Sequence, residues 1–380
     1  LNDRSAGDRS IWTTGLGTIS LNNFTTSNRE DLRTFMYPNA SPDDDDVDSL
    51  INFVRGVDSY DEDEDSSTTD ERHKLGDIYH SDLIVVGPVE ASMEDDKTSN
   101  YRLKDAYYRA VNKYQQFMDS TRCGVVCKYR KEILLAGAND GMLHAFHTGT
   151  DDAAQGGKEL WAYIPHNMLA KLSTMVSAKA NSTNSIYGVD GSATIKDIYF
   201  DDTPNDSTDN PRWRTVLLSA LGPGGHGYFA LDITNIKSPK HLFAFANDPF
   251  DNVVRFWNKL EQKSEFTYTP GIPMANQEFD YQKLGEAWSA PRIIRIKVSG
   301  KDKWVAVFGG GYNGAVNPNY GSAVFVMDLE DEGRLLKVIE IEDSANVMHN
   351  YVFGTVSNNT QTEFNLATYG LTSYLSLIHI

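Results

Sequence analysis

Asp61, Asp63, Asp65 and Asp70 fall in one short stretch, Asp61-Glu62-Asp63-Glu64-Asp65-Ser66-Ser67-Thr68-Thr69-Asp70. Residues of this type at this spacing suit Ca²⁺, which takes roughly six to eight hard oxygen ligands from a flexible loop. Carboxylates on alternate residues can turn toward one centre, and Asp70 is placed to close the shell. Two positions depart from that pattern: Ser66 stands where a glycine usually follows the third acid, and Arg72 stands where a bidentate Glu would close the loop. Two readings therefore stand, a Ca²⁺ site and a solvated acidic loop. A second acidic block, Asp43 to Asp48, overlaps a turn-rich linker over 39–46 and reads as solvated loop, with divalent cation binding as the alternative.

Other candidate chemistry is sparse. Gly222-Pro223-Gly224-Gly225-His226-Gly227 matches the Gly-x-Gly-x-x-Gly pattern, but a dinucleotide site needs a helix next to hold the pyrophosphate. Tyr228 to Ile233 follows instead and has no helical period. A hairpin is the better reading, and Gly309 to Gly314 sits at the same place in a later repeat. Cys123 and Cys127, the two cysteines of the chain, lack the further ligands zinc wants. They read as a small disulfide loop in an exported protein, or as two free thiols. The sequence holds no Gly-x-Ser-x-Gly elbow and no His-Glu-x-x-His. His80, His144, His147 and His226 lie in or beside apolar strands, where a hydrogen-bonded structural imidazole is expected.

The formal net charge of −18 argues against a nucleic-acid partner, which needs clustered Lys and Arg. No apolar run reaches the ~18–20 residues of a membrane helix. The chain begins with Leu1, so it reads as an internal piece of a longer protein, and residues 375–380 read as a non-native tail.

The elements that must position these residues are strands. An apolar run ending at Ala136 meets Asn139-Asp140-Gly141, a turn that tolerates left-handed backbone. A second strand leaves it through Phe146, and a third carries Trp161. Strand, Gly-rich turn, strand, loop, aromatic strand describes a β-propeller blade. The expected fold is all-β, an incomplete propeller of quinoprotein-like blades with four antiparallel strands each, interrupted by helical insertions. A lead-in segment with acidic loops spans 1–74, and it carries one or two short strands and a short helix or strand over Ser49 to Val54. The propeller spans 75–374, with blades at about 78–164, 186–246 and 288–342 and the start of a fourth at 350–370. The first blade opens with a strand over Ile78 to Val86. Leu103, Ala106, Tyr107, Ala110, Val111, Tyr114, Phe117 and Met118 recur at helical spacing and predict a helix within 100–120, lying across the outside of the first blade. A further helix is predicted over Asn167 to Val176. The excess over the ~40–50 residues of a compact propeller repeat falls in insertions such as Asp248 to Lys263, read as helix or loop.

The ordered motifs resemble the PilY family of type IV pilus biogenesis and tip proteins, in their C-terminal propeller. Arg9-Ser10-Ile11-Trp12-Thr13, Leu75-Gly76-Asp77-Ile78-Tyr79-His80-Ser81, Gly137 to Phe146 and Leu160 to Pro165 carry the likeness. Val189 to Ser192, Trp213 to Leu217, Gly227 to Asp232 and Trp304 to Gly309 continue it in order. The resemblance implies a non-catalytic module, exported to the pilus tip, outer membrane or cell surface through the periplasm. It implies support of pilus extension against retraction, a part in twitching motility, and surface adhesion. The implied partners are pilin and minor pilins, with host or abiotic surfaces as ligands. It also implies Ca²⁺ at an alternating-Asp loop, where Asp61, Asp63, Asp65 and Asp70 stand. No Arg-Gly-Asp motif is present, so integrin binding does not carry over. A second resemblance is to quinoprotein dehydrogenases that use pyrroloquinoline quinone. Gly157-Lys158-Glu159-Leu160-Trp161 after Ala145-Phe146-His147 is similar to their tryptophan-docking repeat, but it occurs once here and His147 replaces the usual Asp.

Overall fold

Gly141 turns the chain with φ +88°, a left-handed conformation that glycine adopts without steric cost. The strands on either side of it belong to the first of three sheets in the computed structural model, which describes residues 4–17, 20–94, 104–150, 153–177, 186–200, 212–312 and 320–340. The first sheet contains β1 (Ile11–Thr13), β2 (Ile84–Val86), β3 (Ile133–Gly137), β4 (Leu143–His147) and β5 (Glu159–Ile164). The second contains β6 (Ala193–Tyr199), β7 (Trp213–Ala220), β8 (Gly227–Asp232), β9 (Lys240–Asp248), β10 (Val253–Trp257) and β11 (Lys263–Thr267). The third contains β12 (Arg292–Val298), β13 (Lys301–Gly309), β14 (Ala323–Asp328) and β15 (Arg334–Glu340). Each sheet is built on a four-stranded antiparallel meander, as a propeller blade requires. His147, Asp232 and Asp328 each end the third strand of their meander.

The second blade is buried on both faces, and its strands show why. Val216, Leu218, Ala220, Tyr228, Ala230, Phe243 and Phe245 join one core with the third blade. Their neighbours Leu217, Leu221, Phe229, Leu231 and Ala244 join another with the first blade. Successive side chains of a strand point to opposite faces, so an unbroken apolar run serves both. Trp161 of β5 locks the first interface, fully buried with its indole Nε1 donating to the carbonyl of Ile236 at 2.7 Å.

Several elements differ from the sequence reading. Strand structure within 78–86 is confined to β2, because the segment before it is tied down elsewhere: the His80 backbone N–H donates to Asp190, and the Ser81 side-chain hydroxyl donates to the Gly137 carbonyl. The insertion after the first strand forms two helices, α3 (Asp105–Val111) and α4 (Tyr114–Asp119), broken where Lys113 takes φ +59°. They pack on the second blade rather than across the first: the Tyr114 ring lies 4.8 Å from Trp213, and its hydroxyl bonds Asp197. Asp248 to Lys263 is a β-hairpin, since Val254 and Phe256 alternate inward and β10 extends the sheet. The helix after Pro165 divides into α5 (His166–Leu169) and α6 (Leu172–Ser177). The region over 350–370 and the tail over 375–380 lie outside the described residues.

The lead-in segment is more ordered than its polarity suggested. It carries two α-helices, α1 (Arg29–Met36) and α2 (Asp44–Arg55), and β1 adds in parallel to β5 at the outer edge of the first sheet. Asp43 to Asp48 is therefore not solvated loop. Asp43 caps α2 by accepting from Asp46 N at 2.9 Å, and Asp44, Asp45 and Asp46 occupy its first turn, where negative charge meets the positive end of the helix dipole.

A buried set of charges fixes this segment to the first blade. Arg9 donates from Nε and Nη2 to the two oxygens of Glu159, both at 2.9 Å. His144 bonds Glu159 Oε1 through Nδ1 at 2.8 Å and Asp140 Oδ2 through Nε2 at 3.0 Å. Two carboxylate partners make both ring nitrogens donors, which is the imidazolium form. Burial pushes the His144 imidazolium down, but Asp140 and Glu159 outweigh it and hold its pKa at about 9. Burial likewise pushes Glu159 up, but Arg9 and His144 hold it well below the usual carboxylate range. The His144 contribution is complete below its ordinary pKa of 6.5 and fades as pH rises through about 9. The Glu159 contribution is complete above its ordinary 4.5 and fades on acidification. Urea unfolding at a series of pH values should therefore show stability falling between pH ~6.5 and ~9, and His144→Gln should flatten that fall. Glu159→Leu, which leaves Arg9 buried without its anion, should cost ~3–5 kcal/mol in the same measurement.

Candidate metal site

The acidic loop grows out of the C-terminus of α2. That helix ends at Gly56, φ +113°, whose N–H returns to the Asn52 carbonyl at 3.0 Å. Val57 and Glu71 then pair as a β-bridge, Asp58 N donates to the Asp70 carbonyl at 2.8 Å, and Arg72 N donates to the Gly56 carbonyl at 2.9 Å. This neck holds the loop's two ends together. It is anchored below by Arg55, whose buried guanidinium donates to the carbonyls of Ala6, Arg9 and Phe24. Arg72 lies 3.8 Å over the Phe53 ring and pairs with Glu62 at 2.9 Å.

Within the loop, the carboxylate oxygens of Asp61, Asp63 and Asp65 come within 4.8 Å of one another. Asp70 does not join them; its contribution is the backbone carbonyl at the neck. Asp61, Glu64 and Ser66 all take positive φ, at +51°, +60° and +72°, which curls the segment and brings alternate side chains to one side. Asp61 Oδ1 accepts from Ser66 N at 3.0 Å, Asp65 Oδ1 accepts from Ser67 N at 2.8 Å, and both Asp58 oxygens accept from Glu62 N. Desolvation and the charges of Asp65, Asp58 and Asp61 push the Asp63 carboxyl up. Three converging carboxylates with hard oxygens suit Ca²⁺ in donor chemistry and in loop curvature. Ser66 occupies the left-handed position that a glycine would fill, so the departure at that residue changes the local strain and leaves the turn in place.

The other residues singled out by sequence are absorbed by the fold. Gly222 to Gly227 leads into β8, a strand, so no helix N-terminus stands ready for a pyrophosphate. Cys123 and Cys127 are joined as a disulfide. His144 is the buried imidazolium described above, and burial, with Lys171 nearby, pushes His226 down to about 4. His80 donates its backbone N to Asp190 Oδ1 at 2.8 Å and places Nδ1 2.6 Å from Oδ2, while Tyr79, Tyr187 and Trp288 surround its ring. Asp190 thus ties together the segments that lead into β2 and β6, a role the sequence reading missed. The signal was available: Asn139-Asp140-Gly141 and Val189-Asp190-Gly191 both place an Asp before a Gly, and each Asp accepts a backbone N–H from the segment leading into β2, Gly76 for Asp140 and His80 for Asp190.

The family model for the PilY1 beta-propeller domain matches residues 75–362. Among curated proteins, a type IV pilus biogenesis factor PilY1 from Pseudomonas aeruginosa is 26% identical over 353 residues, which cover 91% of this chain and 24% of that protein. A type IV pilus biogenesis factor PilY1 homolog from Xylella fastidiosa is 28% identical over 297 residues, 77% of this chain and 16% of its own length. The chain thus spans about a quarter or less of these relatives. Among solved structures, the Pseudomonas aeruginosa PilY1 C-terminal domain is similar at 27% identity, with 60% of this chain and 34% of that one covered and a TM-score of 0.36.

The strain at Ser66 is measurable. Ser66→Gly should stabilise the loop by about 0.5–1 kcal/mol, and Ser66→Val should destabilise it, because a β-branched residue fits φ +72° worst. Limited proteolysis read as cleavage between 61 and 70 should slow in the first variant and speed up in the second.

Proposed function

We propose that this chain, which belongs to the PilY1 β-propeller family, serves type IV pilus biogenesis as a non-catalytic assembly module. The observation that carries the reading is the family match across all three blades, over 75–362. In this reading the propeller belongs to an exported protein at the pilus tip, outer membrane or cell surface. It engages pilin and minor pilins, supports extension against retraction, and contributes to surface adhesion. The Cys123–Cys127 disulfide supports an oxidising compartment. The net charge of −18 supports protein or surface partners over nucleic acid. No helix among the described residues is long and apolar enough to cross a membrane. The tryptophan-docking feature is accounted for as blade packing, since the Trp161 indole is spent on the Ile236 carbonyl. Deleting the gene in its host should abolish surface pili and twitching; a mutant with normal pili would overturn the proposal.

Calcium enters the same reading through the acidic loop. Asp61, Asp63 and Asp65 would hold the ion, which would offset the desolvation and the neighbouring negative charges that push Asp63 up. Calorimetric titration should show saturable Ca²⁺ binding that disappears when Asp61, Asp63 and Asp65 are all changed to Ala. Asp70→Ala should bind nearly as well as the parent, because Asp70 contributes through its backbone. Equal binding by the triple variant and the parent would leave the loop as solvated surface.

A further inference from the structure

We propose that two copies of this chain associate edge to edge along β11, in an antiparallel register centred on Ser264. β10 and β11 extend the second sheet past its fourth strand, and β11 is the terminal strand. At ~4.8 Å per strand, the hairpin stands roughly 10 Å beyond the four-stranded meander. Lys263, Ser264, Glu265 and Thr267 are exposed, and Phe266 turns inward to stack on Phe279 at 4.3 Å.

The hydrogen-bond phase of this edge follows from its two ends. Tyr268 N donates to the Asn252 carbonyl, and Asn258 N donates to the Gln262 carbonyl. With the register Val254↔Phe266 and Phe256↔Ser264, these bonds place the even-numbered residues of β11 in the hydrogen-bonded pairs with β10. The backbone N–H and C=O groups of Lys263, Glu265 and Thr267 therefore face the open side.

Among the described residues no strand pairs with this edge; such an edge invites another strand, and charge on it ordinarily discourages pairing. Here the charges select among registers. An antiparallel copy must set outward-facing residues opposite one another. Centring on Lys263 opposes Lys263 to itself, and centring on Glu265 opposes Glu265 to itself. Within β11, only centring on Ser264 sets Lys263 of each copy against Glu265 of the other, twice across one two-fold axis. That is an isologous contact, self-complementary in both hydrogen bonding and charge. The seam is short beside the ~800 Å² per partner of a standard interface, so the association is weak and depends on concentration.

The test is sedimentation equilibrium of the full chain over a wide concentration range. The expected result is a monomer–dimer equilibrium that weakens with salt. Lys263→Glu leaves the Arg255–Glu265 pair in place, gives up the Lys263–Glu265 pair within its own strand at 3.0 Å, and sets like charges opposite each other across the seam, so it should weaken dimerisation at least about tenfold. The charge-swapped double variant Lys263→Glu, Glu265→Lys should restore it. A covalent probe traps a weak complex. In this register Ser264 faces its own copy across a non-hydrogen-bonded pair, with Cα atoms ~4.5 Å apart, within disulfide reach. The two native cysteines are already bridged, so Ser264→Cys should give a covalent dimer on mild oxidation. A monomer at every concentration with no cross-link would overturn the proposal. So would dimerisation indifferent to Lys263→Glu, or a double variant no better than the single one.

Discussion

The buried chain Arg9–Glu159–His144–Asp140 is the constraint on which the rest depends. Its members come from the lead-in segment, from β5, from β4 and from the turn between β3 and β4. Removing a charge from water is costly, so each buried member requires its partners in place. Arg9 can be neutralised only if residues 4–13 lie along β5, and that position also sets up the parallel pairing Ile11↔Ala162. Asp140 meets its requirement partly by accepting from Gly76 N at 2.9 Å, which fixes the chain just after the acidic loop. The loop is thus held on both sides by one network, through Arg55 before it and Gly76 after it, although its own acids are solvated.

The strands were legible because they are apolar on both faces and punctuated by Gly and Asp. In the second blade, the run Val216-Leu217-Leu218 feeds two cores at once, and no helical reading fits so short an apolar block between turns. Legibility failed where local composition pulled one way and packing the other. Asp43 to Asp48 is as polar as any loop, yet its acids sit where a helix N-terminus wants them. Asp248 to Lys263 holds a short apolar run, Val253-Val254-Arg255-Phe256-Trp257, between polar turns, which fits helix or strand alike, and pairing with β9 decides for strand. The apolar stripe of the insertion predicts a single helix, whereas the structure divides it into α3 and α4 at Lys113. The stripe could not say which blade would receive Tyr108 and Tyr114, since that is set by Trp213 and Trp304 far along the chain.

The acidic loop divides the same way. Alternation alone predicted that Asp61, Asp63 and Asp65 would converge, because a curled segment brings every second side chain to one side. Asp70 was grouped with them by residue type. Its place is decided instead by the bridge Val57↔Glu71, which commits the neighbouring backbone to closing the neck. Distance along the sequence says nothing of where such a neck falls.

The accounting of polar atoms bears on function. Glu159 has both carboxylate oxygens engaged, as does Asp140, and His144 has both ring nitrogens engaged. Asp190 spends its two oxygens on the backbone and ring of one histidine. Groups that in another protein would move protons are here used to seal loops against strands, and each would have to break a structural contact to act on a substrate. The Asp61, Asp63 and Asp65 carboxylates differ. Their hydrogen bonds are to N–H groups of their own loop, they repel one another, and they face solvent. These acids therefore stand apart from the contacts that join the blades, and a change at them need not break one.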